Sequence, residues 1–152
     1  MNIKIDGGIL AGGLSRRMEG NDKGLQLYKG QAMAKWVYQA IAPHVDRVFI
    51  NCNQNHASYQ TISPLTCSDT IPGFQGPLAG LVSLMSASDA DYFLVSPCDT
   101  PMLSQSFGKI MLSELHKKLA HEPNQAMIIA SKDESRDHPL HLCISRQFKY
   151  SL

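Results

Sequence analysis

The chain has 152 residues, 43% of them hydrophobic and 18% charged, with a formal net charge of +1. That length suits one domain with one sizeable core, and the near-neutral balance offers no broad electrostatic surface for nucleic acid or a membrane. No apolar run is long enough to span a bilayer, and the amino terminus has neither a basic leader nor a small-residue cleavage site, which points to the cytoplasm.

Strand-like and helix-like segments alternate, the mark of an α/β domain with a mostly parallel sheet. The first strand is carried by Ile3, Ile5, Ile9 and Leu10. Residues 31–42 place Met33, Trp36, Val37, Ala40 and Ile41 on one helical face, and Pro43 ends the helix. Residues 45–51 read as a second strand and 64–67 as a short third. A polar, glycine-rich loop covers 68–76, and Pro77 suits the first turn of a helix running to about Ser88. The apolar run 91–96 predicts a central buried strand. Ser104 is the expected N-cap of a helix with Phe107, Ile110, Met111, Leu115 and Leu119 inward, and Pro123 lies just past its end. Residues 127–130 and 140–145 predict two more strands joined by a charged turn at 132–137. Residues 147–152 begin another element, predicted to expose an apolar patch that includes Phe148 and Leu152. Cys52, Cys67, Cys98 and Cys143 form no C-x-x-C, so reduced, buried thiols are expected.

The most informative stretch is 10–25, L-A-G-G-L-S-R-R-M-E-G-N-D-K-G-L. Gly12 and Gly13 lack a Cβ, so a phosphate can approach the main chain and take its N–H groups. Arg16, Arg17 and Lys23 add cations, arginine with a fork that matches phosphate oxygens. A strand-to-loop turn with solvated basic residues is the plainer alternative, but glycines and three cations together favour phosphate. G-x-x-x-x-G-K-[ST] fails because Gly24 follows Lys23, and no G-x-G-x-x-G occurs, which removes the two commonest phosphate loops.

Two further constellations follow strands. Pro97-Cys98-Asp99-Thr100-Pro101 closes the central one, where ligands sit in open α/β sheets. A lone aspartate there suffices for Mg²⁺ when substrate phosphates supply further oxygens, though it also suits a turn cap. Ser68-Asp69 and Gly76-Pro77-Leu78-Ala79-Gly80 bracket the third loop, which fits a ribose or base site and an ordinary helix approach equally well.

Leu10, Ala11, Gly12, Gly13, Ser15, Arg17, Met18, Asp22 and Lys23 fall on L-A-G-G-x-S-x-R-M-G-x-x-D-K. In this the chain resembles the molybdenum cofactor guanylyltransferase (MobA-like) family of nucleotidyltransferases, with Glu19 standing where the family has glycine. The resemblance continues in P-C-D-T-P, in Asp69 with G-P-L-A-G, in Asn51, which unaided reads as a strand-end turn residue, and in Arg136-Asp137-His138-Pro139, which reads equally as a solvated turn. It implies a Rossmann-like three-layer nucleotidyltransferase fold and one domain over 1–152. Transfer of GMP from GTP to molybdenum-molybdopterin, with release of pyrophosphate, is the implied reaction. Lys23, Arg17 and Asp99 would be the catalytic residues, with Asp99 on Mg²⁺. Leu10, Ala11, Gly12, Gly13, Lys23, Asn51 and Asp69 would bind the nucleotide. Molybdenum cofactor biosynthesis proteins or acceptor apoenzymes are the implied protein partners, with neither nucleic acid nor membrane. The family extends some tens of residues further into an N-x-N-T-P segment that this sequence lacks, so the resemblance also implies that part of the pterin side, and turnover with it, would be missing. The alternatives are a cytidylyl- or sugar-phosphate nucleotidyltransferase, or a nucleotide-binding module without turnover.

Overall fold

A computed structural model describes residues 2–12, 17–18, 21–70, 76–132 and 137–150, with side chains excepted at 17, 18, 21 and 137–139. The chain begins with β1 (Ile5–Leu10) and two short hairpins, β2 (Arg17–Met18) with β3 (Asn21–Asp22) and β4 (Leu27–Tyr28) with β5 (Gln31–Ala32). There follow α1 (Met33–Ile41), β6 (Val48–Asn51), α2 (His56–Gln60), β7 (Leu65–Cys67), α3 (Pro77–Ala87) and β8 (Tyr92–Pro97). The last elements are α4 (Phe107–His121), β9 (Ile128–Lys132), β10 (Asp137–Ser145) and a 3₁₀ turn, Arg146–Tyr150.

The main sheet is six-stranded in the order β7-β6-β1-β8-β10-β9. β1 lies parallel to both neighbours, with Leu10 opposite Asn51 on one side and Pro97 on the other. β6 and β7 are also parallel, whereas β10 runs against both β8 and β9. The reversal has a simple cause. Only residues 133–136 separate β9 from β10, and a parallel crossover needs a dozen or more residues.

Strand alternation divides the core between two faces. Ile9, Ile50, Leu94 and Cys143 meet Val37 and Ile41 of α1, Tyr59 of α2, and Phe107, Met111 and Leu115 of α4. Leu10, Phe49, Phe93, Val95 and Ile144 meet Leu81, Leu84 and Met85 of α3 on the other. This is the three-layer, mostly parallel α/β arrangement expected.

Several elements depart from expectation. α1 starts at Met33 because Gln31 and Ala32 pair with β4 across Lys29 and Gly30, two successive left-handed residues that suit a tight hairpin turn. Its buried positions are Ala34, Val37, Ala40 and Ile41, whereas Trp36 is half-buried and donates its indole N–H to the Tyr28 carbonyl at 2.7 Å. Ile110 points outward from α4. That helix begins after Ser106, and Ser104 contributes its carbonyl to the Phe107 amide and its hydroxyl oxygen to the Ser106 amide. Phe148 is half-buried against the α3-side core rather than exposed, while Leu152 lies outside the described residues.

All four cysteines are thiols, and Cys52, Cys98 and Cys143 are buried as expected, whereas Cys67, in the edge strand β7, is only half-buried. Burial pushes the Cys52 and Cys143 thiols from 9.0 up to about 12, and it raises Tyr59 and Tyr92 as well. Unfolded thiols ionise near their ordinary value while these hold their protons, so their stabilising effect is complete below pH 9 and declines as pH rises toward 12. Urea unfolding is expected to show a constant midpoint from pH 7 to 8.5 and a clear fall by pH 10.5. Cys52→Ala with Cys143→Ala should flatten that fall.

Candidate functional site

The crossovers from β1 go one way to β6 and β7, and the return through α3 brings β8 to the opposite flank of β1. The crevice outside the carboxyl ends of β1 and β8 is therefore the topological switch point, where open α/β sheets bind ligands. Main-chain bonds fix its floor. Ala11 N–H donates to the Asn51 carbonyl at 2.8 Å, and Cys98 N–H to the Leu10 carbonyl at 3.0 Å. The Ala11 amide thus belongs to the strand pairing, and Leu10 and Ala11 bury their side chains on opposite faces of the sheet. Gly12 is half-buried at the rim, and Gly13 lies outside the described residues.

On the β6 side the expected residues interlock. The Asn51 side-chain amide donates to Asp69 Oδ1 at 2.8 Å and to Ser83 Oγ at 3.3 Å. A Cβ on either Gly12 or Gly80 would come within 2.7 Å of Asn51 Oδ1, so both positions exclude a side chain by close approach. Asn53 completes the bracket. Its amide donates to the Gly12 carbonyl and to Asp69 Oδ2, each at 2.9 Å, and its Oδ1 accepts the Asp69 N–H at 2.9 Å. Asn51 is almost wholly buried, so in this arrangement it braces Asp69, and Asn53 ties Asp69 to Gly12 just beyond β1. Asn53 and Ser83 were not anticipated. The two-residue spacing of Asn51 and Asn53, which shares a face of extended chain, was the available signal.

On the β8 side, Asp99 is half-buried in the turn after the strand. The turn is held by Thr100, whose Oγ1 donates to the Pro97 carbonyl at 3.1 Å and lies 3.3 Å from both Ser96 Oγ and His141 Nε2. The ring of Phe107 meets His141 edge-on.

Of the three candidate cations, Arg17 lies on β2, Lys23 directly follows β3, and Arg16 is outside the described residues. Arg17 pairs in register with Asp22, and Lys23 opens the 3₁₀ turn Lys23–Leu25, for which Asp22 is the N-cap. Lys23 is half-buried, and the Arg17 side chain is outside the described set. A Cβ on Gly24 would meet Cys98 Cβ at 3.0 Å, so this turn lies directly against the residue preceding Asp99. Glu19, Gly20 and Arg136 fall outside the described residues.

Strand order and crevice together define the nucleotidyltransferase class of α/β fold. The chain belongs to the MobA-like NTP transferase domain family, which it matches over residues 7–152. It is 40% identical to the molybdenum cofactor guanylyltransferase of Mannheimia succiniciproducens over its whole length and 77% of that protein's. Against the protein of the same name from Shewanella sediminis the figures are 39%, the whole chain and 74%. The crystal structure of molybdopterin-guanine dinucleotide biosynthesis protein A from Archaeoglobus fulgidus superposes with a TM-score of 0.69, covering 95% of this chain and 69% of that one at 17% identity.

Proposed function

We propose that this chain transfers GMP from GTP to the terminal phosphate of molybdenum-molybdopterin. An acceptor phosphate oxygen bonds to the α-phosphorus of GTP, the α–β bridging P–O bond breaks, and pyrophosphate departs. The observation that carries this is the meeting of three elements in one crevice: the β1 end, the Lys23 turn packed on Cys98, and Asp99 immediately after it.

A phosphate monoester has a second pKa of about 6, so the nucleophile is already mostly dianionic at neutral pH and needs no protein base. The chain's part is alignment and charge neutralisation. Lys23 and Arg17 would draw off charge on the transferred and departing phosphates. The Asp69 carboxylate, held between Asn51 and Asn53, is an acceptor suited to hydrogen-bond donors of the nucleoside.

Nucleotidyltransferases generally act with a divalent metal, and the donor set here fits Mg²⁺. Asp99 offers one hard carboxylate at the crevice, and no group of three His, Cys, Asp or Glu gathers elsewhere among the described residues, so phosphate oxygens would supply the remaining ligands. The ion, when bound, supplies positive charge against the α-phosphate. No helix among the described residues is long and apolar enough to cross a membrane. We place the reaction in the cytoplasm, with GTP and molybdenum-molybdopterin as substrates and with biosynthetic proteins or acceptor apoenzymes delivering or collecting the cofactor.

The test is pyrophosphate release with GTP, Mg²⁺ and molybdenum-loaded molybdopterin, preceded by a nucleotide panel. GTP with Mg²⁺ is expected to stabilise the chain by about 2.7 kcal/mol at 100 times its Kd, and to do so more than ATP, CTP or UTP at the same concentration. A larger response to CTP would assign the chain to cytidylyl transfer, and GTP binding without pyrophosphate release would make it a binding module.

A further inference from the structure

α2 is a five-residue helix with one buried side chain, Tyr59, which is fully enclosed in the α1-side core. Its hydroxyl donates to Asp22 Oδ1 across a separation of 37 residues. The same Asp22 oxygen accepts the Gly24 N–H at 3.2 Å, and Oδ2 accepts the Asn55 side-chain amide at 3.4 Å. Asn55 is one of two non-glycine residues with positive φ among those described, at 57°, immediately before α2. A buried tyrosine needs a partner in any fold. This partner is itself a buried carboxylate, and it caps the turn that starts at Lys23. Gly24 is confined between the two sides, since a Cβ there would lie 2.6 Å from the Tyr59 oxygen and 3.0 Å from Cys98 Cβ.

We propose that Tyr59, acting through Asp22 and assisted by Asn55, is a positioning residue that holds the Lys23 turn against the Asp99 end of β8 for triphosphate binding. It touches no reacting atom. The Tyr59 ring is anchored in the core, so its hydroxyl gives Asp22 a fixed donor. Asp22 in turn fixes the Gly24 amide, and with it the start of the Lys23 turn. Loss of the hydroxyl leaves a buried carboxylate short of a donor and the turn it caps without its anchor to the core. The proposal rests on the reading of Lys23 as a triphosphate ligand.

The experiment is calorimetric titration of GTP–Mg²⁺ and of guanosine into the wild type, Tyr59→Phe, Lys23→Ala and the double variant. Tyr59→Phe is expected to weaken GTP about tenfold, the scale of one hydrogen bond to a charged group, and to leave guanosine within about twofold. The double variant should bind GTP no more weakly than Lys23→Ala, because both changes act on one contact. Asn55→Gly keeps the left-handed backbone while deleting the amide, and it should show the same pattern at about threefold. It carries the test if Tyr59→Phe does not fold. Equal losses for GTP and guanosine, losses that multiply in the double variant, or unchanged GTP affinity in the folded variants would each overturn the positioning role. If Lys23→Ala itself leaves GTP affinity intact, the triphosphate reading of Lys23 fails, and this inference falls with it. If only Tyr59→Phe and Asn55→Gly are silent, that reading stands and this inference alone fails.

Discussion

Asp99→Asn is expected to leave the fold intact, to remove the gain in GTP affinity that Mg²⁺ confers, and to lower turnover by about 10²-fold or more, as loss of a charge-stabilising group in an active site does. An amide is a much poorer ligand than a carboxylate for a hard dication. The structure separates this outcome from simple loss of a turn, because Thr100 Oγ1 holds the Pro97 carbonyl and Leu103 N–H donates to the Thr100 carbonyl at 3.1 Å. Titration of GTP with and without Mg²⁺, alongside thermal unfolding, reads the two effects independently. A variant that unfolds, but whose folded fraction keeps its full response to Mg²⁺, would reduce Asp99 to a turn residue.

Arg47→Ala is expected to give the largest loss of stability of any single charge deletion considered. Asp6 is fully buried in β1, where it accepts from Arg47 Nη2 at 2.9 Å and from the Ser88 hydroxyl. Its Oδ1 has no partner among the described residues, so the carboxylate already lacks part of its hydrogen bonding. Removing the guanidinium strands a buried charge. Breaking a fully buried pair costs about 3–5 kcal/mol, and since the Arg47 side chain is 39% exposed we expect about 2–3 kcal/mol here. For a chain of this size that corresponds to roughly 2–4 °C in Tm for each kcal/mol. The pairing also predicts an asymmetry. Asp6→Ala leaves Arg47 partly solvated and still 3.3 Å from Asp89, so it should cost less than Arg47→Ala. Equal losses would show that the two residues matter through packing alone.

The four parallel strands and the helices α1, α3 and α4 were legible because burial writes itself into local pattern: an apolar run for β8, Ile5, Ile9 and Leu10 around two glycines for β1, and helical spacing closed by Pro43, opened by Pro77 or followed by Pro123. Gly12, Lys23 and Asp99 could be nominated as candidate site residues for a related reason, since the motifs that suggest them are carried by neighbours in sequence. α2 was not. His56–Gln60 is one short turn with a single buried side chain, so no periodicity exists to detect. Asn53, Ser83 and Tyr59 escaped because each is defined by a partner distant in sequence. Trp36 was assigned to the core on hydrophobicity, but its indole N–H needs an acceptor, and the Tyr28 carbonyl supplies one at the surface hairpin.

The central place of β1 has a consequence for how such a chain comes into being. Of the six strands of the sheet it is made before the others, yet Ile5 waits for Tyr92 and Gly7 for Val48 before either edge can be satisfied. At about 5–20 residues per second, the β8 edge stays unpaired for several seconds while apolar Ile5, Ile9 and Leu10 are already made. The two glycines at its middle, Gly7 and Gly8, make this segment a poor template for strangers. A nascent β1 is thereby a weak partner for other chains while β8 is awaited, and the middle of the sheet closes only when that strand arrives, before β9 and β10 extend its edge.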